Sequence, residues 1–272
     1  MAEVADDRYE VVVIRYGTRR TKRSAVFLNY PVYGTDDGPI GMDYFIWVVR
    51  NAHRTILVDT GFSASGGATR QRETLITPPE AWRHLGIDLH SALTVVLTHA
   101  HYDHAGNLGE LPAAEVVAAQ AEVDFWLGPL AGRAQFRHSI DAADLAAVAA
   151  ARDEGRLRTF VGTTQVAPGV EVIEVGGHTP GQAVVLVQTL VGPVLLASDA
   201  VHYDEELTAD MPFTHVSNLP DTYAAFDRIT EMGEQRIFEH LVPGHDPATL
   251  DRFPAFDGLA DGLAAIIGRR TP

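Results

Sequence analysis

The sequence predicts a mixed α/β or α+β chain, which a single four-layer domain over residues 1–272, two packed sheets with helices outside, would fit. Three observations point there. Short β-branched and apolar runs cluster in both halves, helical stretches follow each cluster, and neither an internal repeat nor a low-complexity linker interrupts them. With 272 residues the chain is long enough to bury a core unaided, and 46% apolar and 21% charged residues are ordinary globular values, which argues against disorder. There are no cysteines, so disulfides, thiolate nucleophiles and iron–sulfur clusters are excluded, and the twelve histidines become the main candidate ligands for a transition metal. A net charge of −15 repels phosphate backbones and anionic membranes, which argues against nucleic-acid or membrane binding.

The elements follow in order. Residues 10–16 are β-branched and apolar, 24–30 and 43–49 repeat that pattern, and 55–59 is a short buried-strand run ending in Asp59-Thr60-Gly61. Residues 62–77 are polar and contain glycines, which predicts a long loop. Pro78-Pro79 then opens a short helix to 85, since proline suits the first helical position. Strands are predicted at 92–98 and 114–118, a helix at 120–127, and an Ala/Leu-rich helix at 141–152 with Ser139 as its candidate cap. Five strands follow at 157–161, 164–167, 170–175, 183–188 and 194–197, with turns at Pro168-Gly169 and Gly192-Pro193. A helix at 221–234, a strand at 237–242 and a closing helix at 256–267 complete the chain. The longest apolar stretch, 183–197, is broken by Gln188, Thr189, Gly192 and Pro193, so it reads as two strands and a turn rather than a membrane span. The acidic N-terminal residues lack the apolar core of a secretory signal, and a cytoplasmic location is expected.

Directly after the 92–98 strand stands Thr98-His99-Ala100-His101-Tyr102-Asp103-His104. In an extended segment His99 and His101 point the same way, and a turn into helix brings Asp103 and His104 back toward them. Imidazole nitrogens and carboxylate oxygens are ligands for zinc and also suit iron and manganese. Three later segments each place a ligand-type residue just past an apolar strand: Gly177-His178-Thr179-Pro180, Ser198-Asp199-Ala200 and Gly244-His245-Asp246. Strand ends of a rigid sheet are where a closely held site is expected.

These motifs, in this order from Asp59 to His245, resemble the metallo-β-lactamase fold superfamily. The resemblance implies its four-layer αββα sandwich. It implies one metal on His99, His101 and His178, a second on Asp103, His104 and His245, and Asp199 bridging the two. Asp59 would orient the histidine loop, or make an Asx turn before Gly61, and the two roles are compatible. Two zinc ions per chain are implied, with iron or manganese as alternatives. Such a pair would lower the pKa of bound water to about 7, and the bridging hydroxide would attack a carbonyl carbon. Asp103 and Asp199 count among the catalytic residues on this reading, with Asp199 relaying a proton to the leaving oxygen.

Within the superfamily, the bridging Asp199 argues against the true zinc β-lactamases. Only 27 residues follow His245, too few for the basic helical domain of the glyoxalase II-like thioesterases. The chain most resembles the quorum-quenching N-acyl homoserine lactonases, which implies opening of a small-molecule lactone or related ester by a monomer or homodimer. Where that family has a tyrosine three residues after the bridging aspartate, this chain has His202 followed by Tyr203, and either could face the site. A thioester or aryl-ester hydrolase of the same fold, and a mononuclear-iron oxidoreductase of the persulfide-dioxygenase kind, are the alternatives. Met42, Tyr44, Phe45, Trp47, Phe125, Trp126, Phe136, His138, Met211, Phe213 and His215 are candidate substrate walls, although aromatics at such spacings more often fill the core. The run Arg15, Arg19, Arg20, Lys22, Arg23 reads as a solvated loop, or else as a dimer contact or the rim of a site for anionic substrate. His53, His84, His90 and His240 lack a neighbouring ligand pattern and read as structural.

Overall fold

The computed structural model describes residues 7–269. The first sheet takes β1 (Glu10–Lys22), β2 (Pro39–Arg50), β3 (Thr55–Val58), the two-residue β4 (Glu73–Thr74), β5 (Thr94–Val96), β6 (Glu115–Ala119) and β7 (Leu157–Phe160). The second takes β8 (Thr163–Ala167), β9 (Val170–Glu174), β10 (Ala183–Val187), β11 (Val194–Ser198) and β12 (His240–Pro243). The last strand, β13 (Ala264–Ile267), returns to the first sheet, whose order is β13-β1-β2-β3-β5-β6-β7 with β4 on β1. The second runs β12-β11-β10-β9-β8. The helices are α1 (Ala64–Thr69), α2 (Pro78–His84), α3 (Tyr102–Ala105), α4 (Gln120–Trp126), α5 (Ala134–Arg137), α6 (Ala142–Asp153), α7 (Asp204–Thr208) and α8 (Leu219–Glu234).

Side-chain alternation produces the layers. On β1, Val11 and Val13 join Phe45, Trp47 and Val49 of β2 in a core shared with Val172, Val185 and Leu196 of the second sheet. Val12 and Ile14 face the other way, toward Trp82 of α2, Trp126 of α4 and Val148 of α6. The outer face of the second sheet, with Val184, Leu186 and Leu195, packs on Ile229 and Met232 of α8. The stack is therefore helix, sheet, sheet, helix, the four-layer arrangement expected. Strand β10 is buried on both faces, which is why its sequence is continuously apolar rather than alternating. Among the described residues no helix is long and apolar enough to cross a membrane.

Several elements differ from the sequence expectation. The closing helix at 256–267 is instead a series of turns leading into β13, which pairs antiparallel with β1 (Val11 opposite Ile267). A four-residue apolar run cannot be told from helix by period, Gly262 and Gly268 both sit at positive φ, and the free edge of β1 needed a partner. Residues 24–30 form no strand. Two short 3-10 turns, Arg23–Ala25 and Tyr30–Tyr33, replace it, because Asn29 is left-handed and Pro31 lacks a ladder donor. The loop at 62–77 contains α1, capped by Ser63 accepting from the Gly66 amide, and also β4. Helix α6 begins after Asp141 rather than being capped by Ser139, whose carbonyl accepts from the Tyr102 amide. The strand predicted from 237 starts only at His240.

Asp144, in the first turn of α6, is 6% exposed and its Oδ2 is buried without a hydrogen-bond partner. Burial, with the Asp141 carboxylate adding to it and Arg70 opposing, raises its pKa from 3.8 to about 7. An unfolded chain releases this proton near pH 4 and the folded one near pH 7. The contribution to stability is therefore full below pH 4 and lost as pH rises through 7. Asp144→Asn should match the wild type near pH 4 and exceed its Tm at pH 8 by about 2–4 °C or more. Thermal melts across that range check it, and parallel wild-type and variant curves would refute it.

Candidate metal centre

The site lies where strand ends from both sheets meet. Two residues beyond β5, Thr98 is fixed by Asp59, which follows β3 and has φ 58°. The Asp59 carboxylate accepts from the Thr98 amide (2.8 Å) and the Thr98 hydroxyl (2.7 Å). The next residues are His99 and His101. The chain then enters α3, whose first residues place Asp103 and His104 on the same side. Asp59 Oδ2 also lies 2.7 Å from His104 Nδ1, leaving Nε2 to face inward. Asp59 thus orients the histidine loop as a buried acceptor and is itself in neither group of candidate ligands.

His178 follows β9 on a turn made by Gly176 and Gly177. A Cβ on Gly177 would lie 2.6 Å from the Thr222 Cα, so only glycine fits beside α8. Asp199 follows β11, and His245 follows β12 after Gly244. A Cβ on Gly244 would lie 2.6 Å from the Ser198 carbonyl oxygen and 2.7 Å from Asp199 Oδ1. His245 Nδ1 is 2.7 Å from the Asp43 carbonyl oxygen, which turns its Nε2 toward Asp199.

All seven predicted ligands converge. Donor atoms of His99, His101, His178 and Asp199 lie within 4.8 Å of one another, as do those of Asp103, His104 and His245. Asp199 joins the groups. Its Oδ1 is 3.2 Å from His104 Nε2 and 3.1 Å from His245 Nε2, while its Oδ2 is 3.3 Å from His178 Nε2 and 3.7 Å from His99 Nε2. Burial holds His99, His101 and His178 well below the ordinary histidine pKa, so they stay neutral with lone pairs free. His178 Nε2 and His101 Nδ1 are 3.0 Å apart. His99 Nε2, His104 Nε2, His245 Nε2 and Asp199 Oδ1 are buried without a hydrogen-bond partner. Buried polar atoms left unmatched and aimed at common points are costly unless a cation joins them, so the donor set fits two metal ions of nitrogen and oxygen preference. Burial acts to raise the Asp199 pKa, but the His245, His104 and His202 rings outweigh it and hold the carboxyl well below its usual range.

Of the pair His202 and Tyr203, the structure brings only the first into the cluster. His202 Nε2 lies 3.1 Å from Asp199 Oδ2, its Nδ1 is 3.1 Å from Glu206, and its ring stacks on Phe213 at 3.8 Å. Burial opposes its charge, yet the Asp199 and Glu206 carboxylates lift its pKa to about 9. The Tyr203 hydroxyl instead donates to the Gly41 carbonyl at 2.9 Å.

A cavity of about 170 Å³ opens over the cluster, lined among others by Met42, Tyr44, Phe213, His138 and His215. Trp126 and Phe136 line an adjoining hollow. Phe45 and Trp47 point into the core between the sheets, since strand alternation sends them away from Tyr44, and Met211 and Phe125 pack in or against the helix-side core. His53, His84 and His90 are exposed and stand apart from both ligand groups, as does His240, which contacts the Val191 carbonyl oxygen. Arg15 and Arg23 of the basic run pair with Asp43 and Glu205, and Arg19 reaches the cavity.

Two features escaped the sequence reading. Buried Glu122 of α4 accepts from the Ala100 amide (2.8 Å), the Gly181 amide (3.0 Å) and the Trp126 indole (2.6 Å), tying the His99–His101 loop to the His178 loop. A lone glutamate in a helix's first turn carries no signal of that. Arg70 and Arg72 also line the cavity, from a stretch that reads only as polar loop.

Comparison with known proteins agrees with this geometry. Residues 41–252 match the sequence pattern of the Metallo-beta-lactamase superfamily. An N-acyl homoserine lactonase from Bacillus sp is 25% identical over 75% of this chain and 82% of its own. A Bos taurus protein named acyl-coenzyme A thioesterase MBLAC2 is 27% identical over 74% of this chain and 72% of its own. Among solved structures, an N-acyl homoserine lactone hydrolase with N-hexanoyl-L-homoserine at its metal centre superposes with TM-score 0.74 at 18% identity, covering 92% of this chain and 97% of that one. The dizinc lactonase AidC gives 0.70 at 18% identity, over 97% and 95%. At these identities the structural matches speak to the fold.

Proposed function

Because the chain belongs to the metallo-β-lactamase superfamily, we propose that it is a dinuclear metal-dependent hydrolase that opens a lactone or closely related ester. The observation that carries this reading is Asp199, whose two oxygens face two separate groups of buried ligand atoms. In this proposal His99, His101, His178 and Asp199 would hold one ion, and Asp103, His104 and His245, sharing Asp199, would hold the other. Zinc is the expected metal, and a bound pair supplies Lewis acidity and makes hydroxide available near neutral pH. The chain's own groups do the rest. Phe213, Met42 and Tyr44 seat the acyl part against the ligands. His202, with Nδ1 on Glu206, presents Nε2 beside Asp199 Oδ2, where it can donate to an oxygen that gains charge as the ester opens. Tyr203 contributes by holding the Gly41 backbone.

A thioester substrate is the second reading, favoured by similarity to the named acyl-coenzyme A thioesterase. Purified protein should contain about two metal ions per chain. A panel of acyl-homoserine lactones, aliphatic γ- and δ-lactones, aryl esters and thioesters should show turnover that chelation removes and zinc restores. One iron per chain with oxygen uptake, and no hydrolysis of any member, would overturn the reading.

A further inference from the structure

The protein carries a net charge of −15, yet Arg19, Arg70 and Arg72 line the cavity above the ligand cluster. Arg70 is neutralised by Asp141 at 3.0 and 3.1 Å. The other two are not. Among the described residues neither Arg19 nor Arg72 has a carboxylate within ion-pair distance. Arg72 donates to the Tyr102 hydroxyl (3.0 Å) and the Arg70 carbonyl (2.6 Å), both neutral, and Arg19 Nε is buried with no partner. Strands β1 and β4 pair Gly17 with Thr74 and Thr18 with Glu73, so Arg19 and Arg72 are the residues that next leave this short ladder, one from each strand. Two guanidinium groups on one cavity wall repel each other, and the only carboxylate acting on Arg72, that of Asp103, lies beyond ion-pair distance. The Arg72 guanidinium lies 5.9 Å from the centre of the Tyr44 ring, and that ring packs edge-on against His245 at 5.0 Å. Arg72 therefore lies toward the end of the cavity nearest the Asp103–His104–His245 group, and Arg19 lines the same cavity.

We infer that this site selects a substrate bearing a carboxylate, gripped between Arg19 and Arg72 while its ester group lies over the ligand cluster. The inference rests on the hydrolase reading for the ester and on the arginine pair for the anion. Two guanidinium forks suit a planar carboxylate.

The test uses the metal-loaded full chain and two esters with the same six-carbon acyl length, neutral 4-nitrophenyl hexanoate and mono-4-nitrophenyl adipate. Wild type should prefer the adipate ester in kcat/KM by about 10–100-fold, the worth of a charge-assisted hydrogen bond. Arg72→Met and Arg19→Met should each lower that ratio about tenfold or more, mainly through KM, and Arg72→Lys should recover part of it. Arg19→Met stands in if loss of the Tyr102 contact stops the Arg72 variant from folding. Calorimetric binding of adipate itself, weaker in both Met variants, is the readout independent of turnover. Hydrolysis of both esters with no charge preference overturns the inference and leaves the hydrolase reading intact. Adipate binding that depends on the arginines, with neither ester hydrolysed, keeps the anion site and removes aryl esters from the substrates, leaving the hydrolase reading to the lactone and thioester panel. Adipate binding indifferent to both substitutions overturns the inference.

Discussion

Asp199→Ala should lower ester turnover by about a thousandfold or more and reduce bound metal from about two ions per chain to one or fewer. This carboxylate lies between both groups of candidate ligands, with five imidazole nitrogens at 3.1–3.7 Å from its oxygens. On the proposed ligand assignment, removing it would take one donor from each ion, and it leaves adjacent buried imidazoles without their common anion. Asp199→Asn separates charge from shape, since it keeps one acceptor oxygen at the same place. It should retain the first ion better than the alanine variant while still losing most turnover. Elemental analysis of dialysed protein, alongside kinetics at saturating zinc, decides the matter. Two ions per chain and more than about a tenth of wild-type turnover in Asp199→Ala would remove Asp199 from the centre of the mechanism.

Asp59→Asn should weaken metal binding by about 10–100-fold and destabilise the metal-free protein by about 3 kcal/mol. Asp59 is fully buried and receives the Thr98 amide, the Thr98 hydroxyl and, at 3.3 Å, the Ser198 hydroxyl, besides facing His104 Nδ1. Asparagine tolerates the left-handed backbone found there, so the substitution tests the carboxylate rather than the turn. Its amide replaces one acceptor oxygen with donors that face the donors already present. His104 then loses the bond that fixes which nitrogen turns inward. Metal competition with a chelator and denaturant melts of the stripped protein measure the two effects. Unchanged values in both would show that His104 is oriented by something else.

Ligand types and their places at strand ends could be read directly, because the spacing His-x-His-x-Asp-His and the single His or Asp after each apolar run are local patterns. The apolar runs at 10–16 and 43–49 marked buried strands, but they are apolar without alternation, so the mixed α/β character was legible while the four layers came from the family resemblance. What depends on distant partners was not. β13 is strand only because β1 offers an edge 250 residues earlier in the chain. Residues 24–30 look extended, but Asn29 and Pro31 break any ladder. Glu122 owes its role to two amides supplied by other loops, and Arg19 and Arg72 line one cavity only once β4 has paired with β1.

The ligands come from both sheets: β5 and α3 on one side, the ends of β9, β11 and β12 on the other. The two halves of the sandwich must be docked before seven donor groups can meet. Ion capture at these ligands would consequently be thermodynamically linked to closure of the sandwich, with free metal concentration setting how firmly the halves are riveted together. The segments that wall the cavity, around Arg72, His138 and Phe213, lie outside that rivet. They can change without disturbing the ligand positions beneath them.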